Sequence, residues 1–269
     1  MSNPAETSDA VSLPAARWPA LFITISNNAQ LARQSLRFVN NPGWWCSVVW
    51  LCSCFVLVLL YCHIVHPALR FWNGIITHGD PKIPTVAFTF DDGPSPLWAP
   101  LLADTLERHG ARGTFFLVGF QAEVYPEISK RLIRAGHEVE NHSLTHPYPN
   151  LTALPETGIR QEIAISSKIL RQLTGAPIRA FRPPGGGLND TVLAEVKREG
   201  MHIGWWSANT ADATSPSPEG IIALLHKSLR PGAVVLMHER ANSVAALERF
   251  LDNDRGAYRY ETFLNVVRP

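Results

Sequence analysis

The sequence predicts an α/β fold of parallel βα units, arranged either as a doubly wound sheet or as a barrel. From Lys82 onward, short apolar runs alternate with stretches of helical period. Strands and helices that alternate in this way are typical of parallel sheets, because each helix returns the chain to the start of the next strand. In both arrangements, the functional residues are expected at the carboxyl ends of the strands.

Six apolar runs are predicted as strands, and five stretches between them as helices. The strands are expected at Val86–Phe90, Thr114–Val118, Glu138–Val139, Ile178–Phe181, His202–Trp206 and Ala233–Met237. The helices are expected at Leu97–His109, Ile128–Ala135, Glu156–Leu173, Leu188–Glu199 and Glu219–Leu229.

Length and charge limit the classes of protein that fit. The chain has 269 residues, 46% of them hydrophobic, which suits one domain with an extra segment or two small domains. Its formal net charge is +1, and Lys and Arg are scattered rather than clustered. We therefore expect no nucleic-acid partner.

An uncharged segment near the N-terminus predicts a membrane anchor. No Asp, Glu, Lys or Arg lies between Arg37 and Arg70, and about 20 apolar residues suffice to cross a bilayer as a helix. We expect one uncleaved transmembrane helix over residues 44–66, with a buried core helix and a signal peptide as less favoured alternatives. Basic residues on its two sides are nearly balanced, so charge does not decide its orientation.

The remaining boundaries follow from this segment. Residues 1–43 are expected to be a mostly disordered tail with one short helix around Ala29–Phe38. Residues 67–81 are expected to be a linker, and residues 82–269 the folded domain. All four cysteines lie within the predicted anchor, so the folded domain has neither a disulfide framework nor a thiol nucleophile.

Two adjacent carboxylates, Asp91 and Asp92, follow the first predicted strand and precede a Gly-Pro pair. Taken alone, they fit a solvated turn as well as a site. His142 and His146 lie four residues apart, so one helical turn would bring both imidazoles to one ion, and Pro147 ends that turn. Two surface histidines on a loop are the alternative.

A carboxylate and two histidines from neighbouring strand ends would form a metal site of three protein ligands with open positions. Such a site activates water and polarises a carbonyl. One aspartate would then bind the metal, and the other would take a proton from the attacking water.

These residues also carry a family resemblance. Thr89–Pro94, followed by His142-Ser143-x-x-His146-Pro147, resembles the first two signatures of the polysaccharide deacetylases, the NodB-homology group of carbohydrate esterase family 4. Segments similar to the other three signatures follow in order at Arg182–Gly186, Trp206–Asp212 and Leu236–His238. The resemblance covers the predicted folded domain and implies a distorted (β/α)7–8 barrel, here preceded by the predicted transmembrane helix.

The resemblance implies a role for each matching residue. Asp91 would be the general base, held charged and oriented by Arg182. Asp92, His142 and His146 would bind one divalent metal ion, most often Zn²⁺, with Co²⁺ and Ni²⁺ as alternatives.

The later signatures imply the acid and the acyl pocket. His238 would be the general acid, kept cationic by Asp212. The backbone N–H of Gly185 would help to stabilise the oxyanion. Leu236 would line the pocket for the acyl methyl group, and Trp206 would contact the substrate.

Three positions depart from the family pattern. Gly185 stands where relatives often carry Tyr, so a sugar-contacting ring is missing there. Asn209 replaces a frequent Asp, and Ala213 replaces the Trp that usually follows the retained Asp212. Trp205 or Trp206 could compensate. The departures concern the substrate more than the reaction.

The leading hypothesis is a membrane-anchored, metal-dependent deacetylase that hydrolyses the N-acetyl amide of N-acetylhexosamine units in a glycan such as peptidoglycan or a chitin-like polymer. The protein would be a single-pass cell-membrane protein with its catalytic domain on the extracytoplasmic side. One alternative is a deacetylase or deformylase of a lipid-linked sugar. A second is an inactive glycan-binding protein, although every expected acid, base and ligand is present.

Overall fold

The computed structural model describes residues 42–60, 74–214 and 217–268. Helix α1 (Pro42–Leu60) and residues 74–268 belong to different units of the chain. Among the described residues, no helix is both long and apolar enough to span a membrane. Residues 1–41 and 61–73 lie outside the described residues. They include most of the predicted tail with its short helix, the end of the predicted anchor and the start of the linker.

Within residues 74–268, nine strands form one curled sheet. The strands are β1 (Ile75–Ile76), β2 (Thr85–Gly93), β3 (Gly113–Leu117), β4 (Glu138–Asn141), β5 (Ala180–Phe181), β6 (His202–Gly204), β7 (Ala208–Asn209), β8 (Val234–His238) and β9 (Arg259–Tyr260). Their order is β1-β6-β5-β4-β3-β2-β8-β7, and β9 pairs with the start of β2. All of these pairings are parallel, as the alternation of elements predicts.

One short segment joins the two edges of this sheet. At one edge, the N–H of Trp205, just after β6, donates to the carbonyl of Ile76, the last residue of β1. Two residues later, the Ser207 N–H donates to the carbonyl of Val234 in β8. The chain from β6 to β7 therefore passes from one edge to the other, and the curled sheet fits the distorted barrel that the resemblance implies.

The helices of this unit lie mostly between successive strands. They are α2 (Trp98–Arg108), α3 (Gly119–Val124), α4 (Pro126–Arg134), α5 (Glu156–Thr174), α6 (Asp190–Arg198), α7 (Pro218–Ser228), α8 (Ala241–Asp252) and α9 (Phe263–Val267). Most are amphipathic; α2, for example, buries Leu102 and Leu106 and ends in the basic residue Arg108.

Alternation along the strands separates two apolar clusters. In β2, Phe88 and Phe90 belong to the larger cluster, which also includes the buried faces of α2, α5 and α8. Ala87 belongs to a smaller cluster with Phe116 and Phe263. The Phe116 and Phe263 rings meet edge to face, with centroids 6.0 Å apart, so α9 packs against the sheet residues of this smaller cluster.

From Lys82 onward, each of the six predicted strands and five predicted helices overlaps an observed element of the same type. The elements that the sequence did not predict are α3, α8, α9, β1, β7 and β9. Strand β1 lies inside the predicted linker 67–81 and pairs with β6, so the described fold includes residues before Lys82. Three of the missed elements are strands of two residues, which are too short to show a period.

Candidate active site

Four of the predicted site residues occupy one layer at the carboxyl ends of the strands. Asp91 in β2 is directly opposite His238 in β8. His142 and Arg182 come one residue after the register pair Asn141 and Phe181 of β4 and β5. Parallel register therefore brings together residues that lie up to 147 positions apart in sequence, from 91 to 238.

A β-bulge explains how two adjacent aspartates can serve one site. Between the register pairs Phe90–Phe115 and Gly93–Leu117, β2 contains one residue more than β3. Within this bulge Asp92 has φ 70°. In a regular strand, Asp91 and Asp92 would point to opposite faces, but the bulge redirects one of them. Both carboxylates consequently approach His142.

The three predicted metal ligands lie together. Asp92 Oδ1 is 3.3 Å from His142 Nε2 and 3.1 Å from His146 Nε2. One ligand atom from each of the three residues lies within 4.8 Å of the others. Ligands at about 2.1 Å from a tetrahedral zinc ion would be about 3.4 Å apart, so this donor set fits such an ion.

The hydrogen bond of His142 determines which ring nitrogen faces the ligand set. Its Nδ1 lies 2.7 Å from the carbonyl oxygen of Arg182, which can only accept, so Nδ1 carries the proton. In the neutral ring, Nε2 then has a free lone pair directed towards Asp92. A backbone carbonyl on the second nitrogen is the usual support of a metal-binding histidine.

The charges of the ligand set reinforce one another. Burial raises the pKa of Asp92, but when the rings of His142 and His146 are protonated, their hydrogen bonds to Asp92 outweigh burial and hold that pKa well below its usual range. The hydrogen bond between His146 and Asp92 raises the pKa of His146, against the lowering effect of burial. The carboxylate is therefore ionised at neutral pH, as metal binding requires.

Arg182 is completely buried and fixes Asp91. Its Nη1 donates to Asp91 Oδ1 and to Thr89 Oγ1, each at 2.7 Å, and its Nε donates to the carbonyl of Gly204 at 2.8 Å. The guanidinium carbon lies 4.0 Å from the centre of the Phe116 ring. With Oδ1 held, the second oxygen of Asp91, Oδ2, lies 3.9 Å from His142 Nε2.

His238 forms the expected pair with Asp212. Its Nδ1 lies 2.8 Å from Asp212 Oδ1, and its backbone N–H donates to Oδ2 at 2.6 Å. Ser243 Oγ also donates to Oδ2 at 2.6 Å. Burial lowers the pKa of His238, but the contact with Asp212 and the nearby carboxylates of Asp91 and Asp92 raise it above its ordinary value. Nε2 remains available to a substrate.

The residues predicted for the acyl pocket lie around this layer. Leu236 is buried in β8, two residues before His238. Gly185 is exposed and has φ 60°. Trp206 is half-buried and stacks on Trp205, with ring centroids 4.4 Å apart. Trp206 also packs against the smaller apolar cluster.

Residues 142–147, which follow β4 and carry the two predicted histidine ligands, are named here the metal loop. Glu162 supports this loop, and its role was not predicted from the sequence. Its Oε2 accepts hydrogen bonds from the backbone N–H groups of Leu144 and Thr145 at 2.9 and 2.8 Å, and its Oε1 accepts from Thr145 Oγ1 at 2.6 Å. The residue lies on the buried face of α5. The one available signal was a Glu among the buried positions of an amphipathic helix.

Glu239 is a second buried carboxyl that was not predicted. Its Oε2 accepts from the Ser95 N–H at 2.5 Å, and its Oε1 has no hydrogen-bond partner among the described residues. A Cβ at Gly93 would lie 1.8 Å from Oε1, so the carboxyl fills space that only a glycine leaves. Burial raises the pKa of Glu239 to about 8, although the Ser95 N–H opposes this effect.

Positive φ angles are concentrated at the site. Among the described non-glycine residues, four have positive φ: Asp92, Ser143, His146 and Ala211. All four lie within the signature segments. Such conformations cost free energy and persist where surrounding contacts enforce them, which is common at functional sites. For example, Ser143 N donates to Asn141 Oδ1, and His146 N donates to Ser143 Oγ.

The fold and the site together define a class of protein. A curled parallel sheet with an Asp-His-His ligand set, an arginine-bound aspartate and an aspartate-bound histidine at the carboxyl ends of its strands fits a metal-assisted hydrolase. The profile of the polysaccharide deacetylase family matches residues 78–204.

Two relatives are deacetylases of different glycans. The chain is 32% identical over 190 residues to a peptidoglycan-N-acetylglucosamine deacetylase of Bacillus cereus, an alignment that covers 68% of this chain and 88% of the relative. It is also 32% identical over 190 residues to a chitooligosaccharide deacetylase of Sinorhizobium fredii, with 64% of this chain and 87% of the relative covered. The profile match and these relatives show that the chain belongs to the polysaccharide deacetylase family.

A solved structure of similar fold shows that the fold alone does not decide activity. It is a CE4 family pseudoenzyme from Bacillus anthracis, 26% identical, with a TM-score of 0.66 over 72% of this chain and 68% of that chain. Activity must therefore be argued from the site residues rather than from the fold.

Proposed function

We propose that the protein is a metal-dependent deacetylase that hydrolyses the N-acetyl amide of N-acetylhexosamine units in a glycan such as peptidoglycan or a chitin-like polymer. The observation that carries the proposal is the complete site, in which Asp91 pairs with Arg182, lies 3.9 Å from His142 of the ligand set and is directly opposite His238, the partner of Asp212. The glycan deacetylase relatives support the choice of substrate class.

Asp92, His142 and His146 would hold the divalent cation, Zn²⁺ being the ion that best suits two imidazoles and one carboxylate. Bound there, such a cation would supply Lewis-acid polarisation of the acyl carbonyl and lower the pKa of a nearby water molecule.

Asp91 would act as the general base. Arg182 engages Oδ1, which orients the carboxylate and leaves Oδ2 on the side of the ligand set. Oδ2 can therefore take a proton from a water molecule that attacks the acyl carbonyl. The exposed backbone of Gly185 would donate its N–H to the oxyanion that develops on the carbonyl oxygen.

His238 would act as the general acid. Asp212 holds Nδ1–H and favours the protonated ring, so Nε2–H can donate its proton to the amide nitrogen as the C–N bond breaks. Acetate and a free amine on the sugar are the products. The base and the acid lie directly opposite each other on the neighbouring strands β2 and β8.

Membrane attachment through residues 44–66 with an extracytoplasmic catalytic domain is part of this proposal and is supported by the uncharged sequence from Arg37 to Arg70. Recovery of the full chain in a carbonate-washed membrane fraction would support it. Release of the chain by carbonate would refute it.

A lipid-linked sugar is the second candidate substrate. It is favoured by the open site, because Gly185 and Ala213 are both exposed and neither places a large side chain there. The inactive glycan-binding alternative is opposed by the presence of every proposed acid, base and ligand at contact distance.

Acyl release by the full-length chain, purified in detergent, tests the proposal. Acetate and formate are assayed separately on N-acetylglucosamine oligomers, peptidoglycan and a lipid-linked N-acetylhexosamine, after chelation and after Zn²⁺ is restored. Acetate release that is lost on chelation and recovered with Zn²⁺ is expected. Full activity in excess chelator would refute metal dependence, and release from the lipid-linked sugar alone would select the second candidate.

A further inference from the structure

Tyr148 is an exposed aromatic side chain beside the metal loop that neither the fold nor the proposed mechanism explains. Its exposure is 94%, the largest value among the large hydrophobic side chains that the structure describes. It comes two residues after the proposed ligand His146. With 94% of its surface exposed, the ring contributes little burial to stability, and tyrosine combines an apolar ring with a polar tip, which suits contact with a ligand.

The backbone around Tyr148 is held firmly. Pro149 restricts the φ and ψ angles of Tyr148, and Pro147 has a fixed φ angle just before it. On the N-terminal side, Ser143 Oγ accepts from the His146 N–H at 3.0 Å. On the C-terminal side, Asn150 Oδ1 accepts from Thr152 N and Thr152 Oγ1 at 2.9 and 2.7 Å. A ring presented in this way would lose little backbone entropy when it binds a ligand.

The same segment contacts the loop that contains the proposed oxyanion donor. A Cβ at Gly185 would lie 2.9 Å from the Pro149 carbonyl oxygen and 3.1 Å from Asn150 Cβ. A Cβ at Gly187 would lie 3.0 Å from Asn150 Oδ1. Tyr148 therefore belongs to a segment that runs from the metal ligand His146 to the edge of the Gly185 loop. Because Gly185 has no Cβ, the two segments can pack this closely.

We propose that Tyr148 stacks on the apolar face of a pyranose ring next to the acetylated sugar and thereby selects oligomeric over monomeric substrates. A flat, apolar ring with a polar hydroxyl suits a sugar, whose C–H faces are apolar and whose edges carry hydroxyls. This inference rests on the proposed function, because it assumes a glycan in the site. Tyr148 would position the substrate without touching the reacting atoms.

Binding of the tetramer of N-acetylglucosamine tests this role separately from turnover. Isothermal titration calorimetry is performed on the Zn²⁺-loaded full chain carrying Asp91→Asn, which prevents hydrolysis. Adding Tyr148→Ala should weaken binding about three- to tenfold, whereas Tyr148→Phe and Tyr148→Trp should retain it. Tyr125→Ala, at another exposed tyrosine, is the matched control and should change nothing.

Kinetics of the otherwise wild-type chain give the second readout. Tyr148→Ala should raise the KM for the tetramer by the same factor, leave kcat within about twofold and leave activity on the monomer unchanged. The thermal midpoint should not move, because the ring is exposed. Unchanged tetramer affinity in Tyr148→Ala, or no tetramer binding by the Asp91→Asn parent, would overturn the role of Tyr148.

The two proposals fail in different ways. If the parent binds the tetramer and Tyr148→Ala weakens binding, but the wild-type chain releases no acetate, the proposed reaction fails and the role of Tyr148 stands. If acetate is released and the Tyr148 variants bind as the parent does, the reaction stands and the role of Tyr148 fails.

Discussion

Arg182 and Asp91 form a buried ion pair at the centre of the site, and its energetics can be measured residue by residue. Arg182 has no exposed surface, and burial lowers the pKa of its guanidinium while Asp91 raises it. Removing one partner of such a pair leaves a buried charge without compensation. The arginine consequently contributes to stability as well as to the orientation of the base.

Replacing Arg182 by Met should destabilise the folded domain by about 3–5 kcal/mol at neutral pH. Urea unfolding of the variant and the wild-type chain measures this difference. Arg160→Met, which breaks an exposed pair with Glu156, is the control and should cost less than about 0.5 kcal/mol. Equal stability of the two variants would contradict the account of Arg182.

Asp212→Asn should change the pH dependence of the reaction. Although burial lowers the pKa of His238, Asp212 raises it, so the neutral amide should let this pKa fall. The high-pH limb of the pH profile of kcat/KM should then move to lower pH. The value of kcat should fall at least about 100-fold, because less of His238 is protonated and able to act as the general acid. A pH–rate profile of both chains checks this. A loss of activity without any shift of the limb would indicate a purely structural role.

Glu239 should make stability depend on pH. Its pKa in the folded domain, about 8, lies above the ordinary value of 4.5, because burial favours the protonated carboxyl. Its favourable contribution is therefore complete below the unfolded pKa and is lost as the pH rises through the folded pKa. Glu239→Gln should match the wild-type chain near about pH 4 and should be the more stable protein near about pH 8.

Thermal unfolding in the presence of chelator measures this difference, which should grow by at most about 1.4 kcal/mol per pH unit. Glu248→Gln, whose carboxylate pairs with Arg108 at the surface, provides the control. A Glu239→Gln chain that is less stable than the wild type at both pH values would contradict the burial of a protonated carboxyl.

At the scale of elements, the metal loop after β4 depends on a side chain from α5. Glu162 accepts two backbone N–H groups and one hydroxyl from this loop. Since the loop includes two positions with positive φ, Ser143 and His146, its conformation needs such external support. The helix would therefore help to position the proposed ligands His142 and His146.

Glu162→Ala should weaken Zn²⁺ affinity about 10- to 100-fold, because loss of the residues that orient metal ligands usually has effects of this size. Competition with a chromogenic chelator measures the affinity directly. Glu156→Ala, on the exposed start of the same helix, is the matched control and should leave affinity unchanged. Wild-type affinity in Glu162→Ala would show that the loop holds its conformation without this residue.

Sequence patterns predicted the long elements and the ligand types, but not the geometry of the strand ends. Alternating apolar and amphipathic runs predicted β2, β3, α2 and α5 because these elements are long enough to show a period. The β-bulge at Asp91 and Asp92 was not predicted, since it depends on the register of β2 against β3. Glu162 and Glu239 were missed because their partners are backbone groups distant in sequence.

At the scale of the whole molecule, the curled sheet assembles one site from residues spread over most of the folded chain. Closure through the segment from β6 to β7 brings Asp212 to β8, where it meets His238. The order of the signatures along the chain predicts this assembly, because parallel strands place their carboxyl ends at one face. Distances and the orientations of ring nitrogens depend on the three-dimensional arrangement and do not follow from that order.

The most direct test of the central claim is acetate release by the Zn²⁺-loaded full chain carrying Asp91→Asn. The amide can still accept from Arg182 but is not a base, and Asp91 is not among the proposed metal ligands. We predict a fall in kcat of at least about 100-fold on N-acetylglucosamine oligomers, with Zn²⁺ content unchanged and with Asp104→Asn as a surface control. Wild-type acetate release by a folded, Zn²⁺-loaded Asp91→Asn chain would contradict the account.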